Sequence, residues 1–182
     1  MPSADPPLRA DARRNRQRIL DAARDAFAEA GRAVPLDEIA ARAGVGPGTV
    51  YRHFPTKEAL FQEIVTDRVE DLVADARRRG DDPDAGAAFF GFIARLGVEG
   101  AAKRDTSDAI GVPGPVRVAL LEALTVLLER AQAAGAVRPG ITAGDVVTMF
   151  KGLLVAVHEE PDPNRAARLF TVLSDGLRPP SR

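Results

Sequence analysis

Residues 47–53, reading PGTVYRH, gather side chains suited to meeting a polyanion on one short segment. On a helix with about 100° between neighbours, Val50 and Phe54 point within roughly 40° of each other and mark a buried line. Gly48, Thr49 and Arg52 then fall on the opposite side, while Tyr51 and His53 flank the buried line at about 80° to each side. An outward guanidinium can take both acceptors of a guanine edge, and flanking phenol and imidazole groups meet phosphate walls. Gly48 lets a groove approach the backbone closely. Lys57 opens the next helix behind Thr56 as N-cap, where an ammonium and a helix terminus can both hold a phosphate. Taken singly, Tyr51 also reads as a core-edge aromatic and His53 as a satisfied surface histidine. The ordered string as a whole points to DNA.

The preceding segment supplies the frame. Leu36, Ile39, Ala40 and Ala43 fall at i, i+3, i+4 and i+7, one face of a short amphipathic helix. Pro35 suits its first position, where a missing N–H costs nothing, and Asp37 and Glu38 favour its dipole. Gly44 fits the left-handed residue that ends it, and Val45 is left to pin the turn. A short helix, a tight turn and a second short helix opening at Pro47 make a helix-turn-helix, whose second helix enters the major groove.

The string AGVGPGTVYRHFPTKE at 43–58 resembles the DNA-binding signature of the tetracycline repressor (TetR) family, with its Ala-Gly turn, Gly-Thr, Tyr-x-His-Phe and Lys-Glu. The resemblance is specific over residues 12–60; downstream it rests on helix number and length. Three departures stand inside the motif. Pro35 occupies a place where a phosphate-contacting Thr is common, and Gly46 and Pro47 replace a frequent Ser-Lys pair. Fewer polar contacts there place more weight on Arg52 and the arginines upstream.

Those arginines lie at the start of a first helix. ARRNRQR at 12–18 leads into a stripe of Ile19, Leu20, Ala23 and Phe27, so Arg13, Arg14, Arg16 and Arg18 cluster at an N-terminus that favours anions. A basic run is usually a solvated face; a nearby phosphate would account for this one, with Arg13 and Arg14 as the contacts.

Charge is divided along the chain. The whole carries 25 basic and 26 acidic residues. Residues 8–57 hold 10 basic and 6 acidic, a net of +4; residues 58–182 hold 15 and 19, a net of −4. The positive field coincides with the motif and would supply the sequence-independent part of DNA affinity.

Several classes fall away. There is no cysteine, hence no disulfide frame, thiolate metal site or cysteine nucleophile. Only His53 and His158 are present, with no metal-ligand spacing, and GVPGP at 111–115 is not a phosphate loop. A small helical enzyme is therefore disfavoured, and neither cofactor nor metal is expected. No run reaches the ~18 apolar residues of a membrane span, and MPSADPPL lacks a signal-peptide layout, so a cytoplasmic location is expected.

The expected fold is all-α, with about nine helices. Residues 1–11 read as a disordered tail, 12–58 as a three-helix helix-turn-helix domain and 59–182 as a helical ligand-binding and dimerisation domain. Residues 56–79 form one long helix with Phe61, Ile64, Val65, Leu72 and Val73 inward. Residues 84–102 and 115–134 are apolar nearly all round, as in the middle of a bundle, with a short helix or loop at 103–114. Phe89, Phe92, Leu124 and Phe150 could line an apolar pocket, though plain core packing reads equally well. Thr142 with Asp145 makes an acidic capping box for a helix to 159, and Asp162 and Pro163 start the last. By the resemblance, these two helices pair with their copies in a homodimer; periodicity alone is equally consistent with an internal face.

Two functions follow as expectations. One is a transcriptional repressor on a palindromic double-stranded operator, released by a small hydrophobic effector. The other is a DNA-binding regulator of the same fold without an effector.

Overall fold

A computed structural model describes residues 7–101, 114–159 and 162–180. These form eight α-helices, and no strand occurs among them. In order they are α1 (Pro7–Ala30), followed by a 3₁₀ turn Gly31–Ala33, α2 (Leu36–Ala43), α3 (Pro47–His53), α4 (Lys57–Arg79), α5 (Ala85–Ala101), α6 (Gly114–Ala133), α7 (Ala143–Glu159) and α8 (Pro163–Leu177). The expected short element at 103–114 lies almost wholly outside the described residues. No described helix is long and apolar enough to cross a membrane.

The chain makes two compact units, Met1–Val65 and Thr66–Arg182, dividing within α4. The first is built on one cluster: Ile19, Leu20 and Ala23 of α1, Ile39 and Ala40 of α2, Val50 of α3, and Leu60 of α4 are fully buried. Burying each large aliphatic side chain contributes roughly 1.5–3 kcal/mol. This is the stripe expected from spacing. Phe27 joins it from the edge, with its ring edge-on to Phe61 at 5.8 Å.

Two boundaries differ from expectation. α1 begins at Pro7, inside the stretch read as a tail, because Pro suits a first turn and the Leu-Arg-Ala-Asp-Ala-Arg-Arg run that follows is rich in helix formers. Pro35 is the N-cap of α2, with extended φ −67° and ψ 149°, rather than its first helical residue.

The second unit packs Leu72 and Ala76 of α4, Phe89, Phe92 and Ile93 of α5, Leu124, Leu127 and Leu128 of α6, and Val146 and Phe150 of α7 into one core. α6 departs from the expected all-round burial. α5 and α7 cover one side, while Val118, Leu121 and Val126 remain 49%, 39% and 52% exposed. Asp75, buried within α4, is held by Arg78 and Arg79 of its own helix and by Arg95 of α5 at 3.2 Å. The caps behave as their residue types require. Thr142 N–H donates to Asp145 Oδ2 at 2.9 Å, Asp145 N–H returns to Thr142 Oγ1 at 3.2 Å, and Asp162 accepts from Asn164 N–H. The Thr142 hydroxyl, which donates to Asp145 Oδ2 at 2.7 Å, and the Thr142 N–H together hold the Asp145 carboxyl below its ordinary pKa.

Candidate nucleic-acid interface

Gly44 ends α2 in the left-handed region, φ 62° and ψ 38°, with its N–H on the carbonyls of the last turn. Val45 N–H bonds back to Ala40 at 3.0 Å, so the turn is closed in two places. Arg18 of α1 donates to the Gly44 carbonyl at 3.4 Å, tying the first helix to the turn. Gly46 in extended geometry and Pro47 at the first position then open α3. The helix closes at Phe54, whose N–H bonds to Val50 at 2.8 Å as the backbone becomes extended.

Burial follows the helical wheel along α3 except at Thr49, which spacing sets opposite the buried line and the fold leaves half-buried. Val50 is 0% and Phe54 3% exposed, whereas Tyr51 is 48% exposed. Gly48 and Arg52 are exposed; Thr49 and His53 are half-buried. The His53 ring lies beside Phe54, with centroids 6.3 Å apart. Among the described residues, the side chains of Arg52 and Tyr51 make neither hydrogen bond nor ion pair. A Cβ added at Gly46 or Gly48 would meet nothing within 4 Å. Neither glycine has a left-handed backbone, so nothing inside the chain demands a residue without a side chain at either place.

The basic side chains divide into two groups. Arg13 and Arg14 stand exposed on α1, with Arg14 paired to Asp11 one turn back. Arg16 pairs with Glu63 of α4 and lies over the Phe54 ring at 5.6 Å, and Arg18 is engaged at the turn. Lys57 is half-buried, and its ammonium donates to the carbonyls of Arg32 at 3.0 Å and Ala33 at 3.5 Å. It thus closes the 3₁₀ turn behind α1. Thr56 Oγ1 accepts from Ala59 N–H at 3.0 Å, the capping expected of it. Spacing gave no signal for the bond of Lys57, because its partners are backbone atoms 24 and 25 residues away. The pair Arg42–Glu38 at 2.8 Å was open to reading from its i, i+4 interval.

In the second unit, Phe89, Phe92 and Leu124 are 0% and Phe150 6% exposed, all four in the same cluster. A half-open groove elsewhere in this unit is lined by other residues of α6 and the start of α7.

Residues 19–64 match the family model described as bacterial regulatory proteins of the tetR family, and residues 84–179 match the SbtR-like transcriptional regulator C-terminal domain. Among curated relatives, the regulator UidR of Escherichia coli K12 is 34% identical over 47% of this chain and 42% of its own length. TtgW of Pseudomonas putida is 44% identical over 36% of this chain and 50% of its own. These matches span about half the length of the curated relatives or less. Similarity to solved structures runs further. A TetR regulatory protein from Mycobacterium vanbaalenii is 41% identical, covering 95% of this chain and all of that one, with a TM-score of 0.68. The regulator SCO0520 of Streptomyces coelicolor is 32% identical over 91% of this chain and 99% of that one, at a TM-score of 0.70. With family models matching in both units and the fold shared over more than nine-tenths of its length, the chain belongs to the TetR family of DNA-binding transcriptional regulators.

Proposed function

We propose that the protein is a sequence-specific repressor that holds a palindromic DNA operator as a homodimer in the cytoplasm and leaves it when a small apolar molecule binds the second unit. The observation that carries the DNA reading is the outward face of α3. Arg52 is exposed and without a partner among the described residues, beside two glycines whose missing side chains leave open space. A groove floor brought against that face meets the guanidinium first. Tyr51 and His53 take the flanking phosphates, with Arg13 and Arg14 adding charge from α1. Lys57 contributes chiefly by fixing the turn that orients α3, and its third hydrogen remains for a phosphate.

One recognition helix reads few base pairs, so a two-fold dimer facing two half-sites is the economical arrangement. α7 and α8 are the elements proposed to pair, and Met149, Val155 and Val172 remain exposed on them at 37%, 46% and 69%. α4 is the covalent link between the units, so a ligand that shifts its second half would alter the spacing of two α3 helices. The ligand need only prefer the non-binding arrangement. The full burial of Phe89, Phe92 and Leu124 favours the second reading, a regulator of this fold without an effector.

Duplexes selected from a randomised pool test the repressor reading. They should converge on an inverted repeat with half-sites about 10 base pairs apart or a multiple of that. Convergence on a single short non-palindromic site would overturn the dimer. The two readings separate in a thermal-shift screen of small apolar compounds, since a ligand that binds only the folded chain raises its melting temperature. A hit that weakens operator binding supports the effector; hits without that effect support the alternative.

A further inference from the structure

Between α6 and the first turn of α7 lies the half-open groove, with a volume of about 330 Å³. That is within the range of roughly 300–1,000 Å³ over which small molecules are held. Its apolar wall is Leu121, Leu128 and Ile141; its polar lining is Thr125, Glu129, Gln132 and Thr142.

The hydrogen-bonding state of that lining restricts what it accepts. Gln132 spends both amide hydrogens, on the Arg138 carbonyl at 3.1 Å and the Ile141 carbonyl at 3.0 Å. Two carbonyl partners fix which end of the amide is nitrogen, so its oxygen is left as an acceptor. The Thr125 hydroxyl donates to the Leu121 carbonyl at 2.8 Å, and the Thr142 hydroxyl to Asp145 Oδ2 at 2.7 Å. Every side-chain donor lining the groove is therefore committed. Glu129 stands one turn before Gln132, exposed, its carboxylate with no hydrogen bond or ion pair among the described residues. The start of α7 carries the positive end of a helix dipole, which Asp145 already answers in the capping box. What remains on offer is acceptors, one of them charged, beside an apolar wall.

We propose that this groove binds an amphiphilic organic cation, its N–H donors on Glu129 and the Gln132 oxygen and its apolar body against Leu121, Leu128 and Ile141. Its use as an effector site rests on the ligand-responsive reading above; the site itself does not.

Three probes with one body and different heads test it: 4-phenylbutylammonium, 4-phenylbutanol and 4-phenylbutyrate, titrated into the full chain and followed by calorimetry and methyl NMR. The ammonium should saturate, move the methyl signals of Leu121, Leu128 and Ile141, and bind roughly tenfold more tightly than the alcohol, the size of one charge-assisted hydrogen bond. Glu129→Gln, a change at an exposed position, should erase that preference. Equal binding of all three heads, no saturation, or a preference that survives Glu129→Gln overturns the proposal. The same ammonium is then titrated against the complex with a selected duplex. Binding in the groove with operator affinity unchanged sustains the site and sinks its effector role. Release of the duplex that Glu129→Gln does not blunt overturns the groove as the effector site.

Discussion

Arg18 and Gly44 meet at the hinge of the helix-turn-helix: the guanidinium donates to the Gly44 carbonyl, and a Cβ on Gly44 would stand 2.6 Å from the same nitrogen. The arginine end can move aside, but φ 62° cannot be kept cheaply by another residue. Gly44→Ala should destabilise the first unit by ~1–2 kcal/mol. Guanidinium unfolding followed by circular dichroism measures it, and an unchanged midpoint would contradict the strain.

Lys57→Met tests what the ammonium does. It leaves the carbonyls of Arg32 and Ala33 without their donor, and stability should fall by ~0.5–1.5 kcal/mol. A variant that unfolds like the parent but shows a shallower salt dependence of DNA binding would mean that Lys57 serves phosphate alone.

Asp75 gives a pH signature. Burial raises its carboxyl pKa, but the hydrogen bond from Arg79 and the charges of Arg79 and Arg95 outweigh this and hold it below its ordinary value. A carboxyl depressed in the folded state contributes stability above its unfolded value, about 3.9, and loses it as pH falls through the folded value. Asp75→Asn should therefore cost ~1–3 kcal/mol at neutral pH, with the gap closing below about pH 4. A gap of constant size across that range would show that the pairing is not what Asp75 contributes.

The dimer is tested at Val172, 69% exposed on α8. Val172→Asp disturbs no core in the single chain, yet places a charge where the partner copy is proposed to pack. Light scattering at micromolar concentration should report a dimer for the parent and a monomer for the variant, which should lose operator affinity. A parent that is monomeric and still binds tightly would remove the dimer.

Much of the fold was legible because burial imposes a period. The stripe of Ile19, Leu20 and Ala23, the line of Val50 and Phe54, and the box of Thr142 and Asp145 are short-range facts that spacing alone conveys. The outward position of Arg52 followed from the same geometry. What stayed hidden depends on distant partners. Lys57 and Arg18 bond backbone carbonyls more than 20 residues away, and no side-chain pattern announces a carbonyl. α6 misled because an apolar surface reads alike whether a neighbouring helix or nothing covers it; Val118 and Val126 are in the open. The groove at Glu129 has no signature in spacing, because its character depends on which donors of Gln132 and Thr125 are already spent.

The outward face of α3 is proposed to read base sequence through Arg52, and selection of duplexes by the Arg52→Ala chain measures that role. The parent and the variant are each presented with the same randomised pool at fixed salt, and the enriched sequences are compared. Arg52→Ala should relax preference at one base position in each half-site, at a cost of ~1–3 kcal/mol of discrimination, whereas Tyr51→Phe should weaken binding to all sequences alike. If Arg52→Ala selects the same sequence with the same sharpness as the parent, Arg52 does not read bases and the account of this face is wrong.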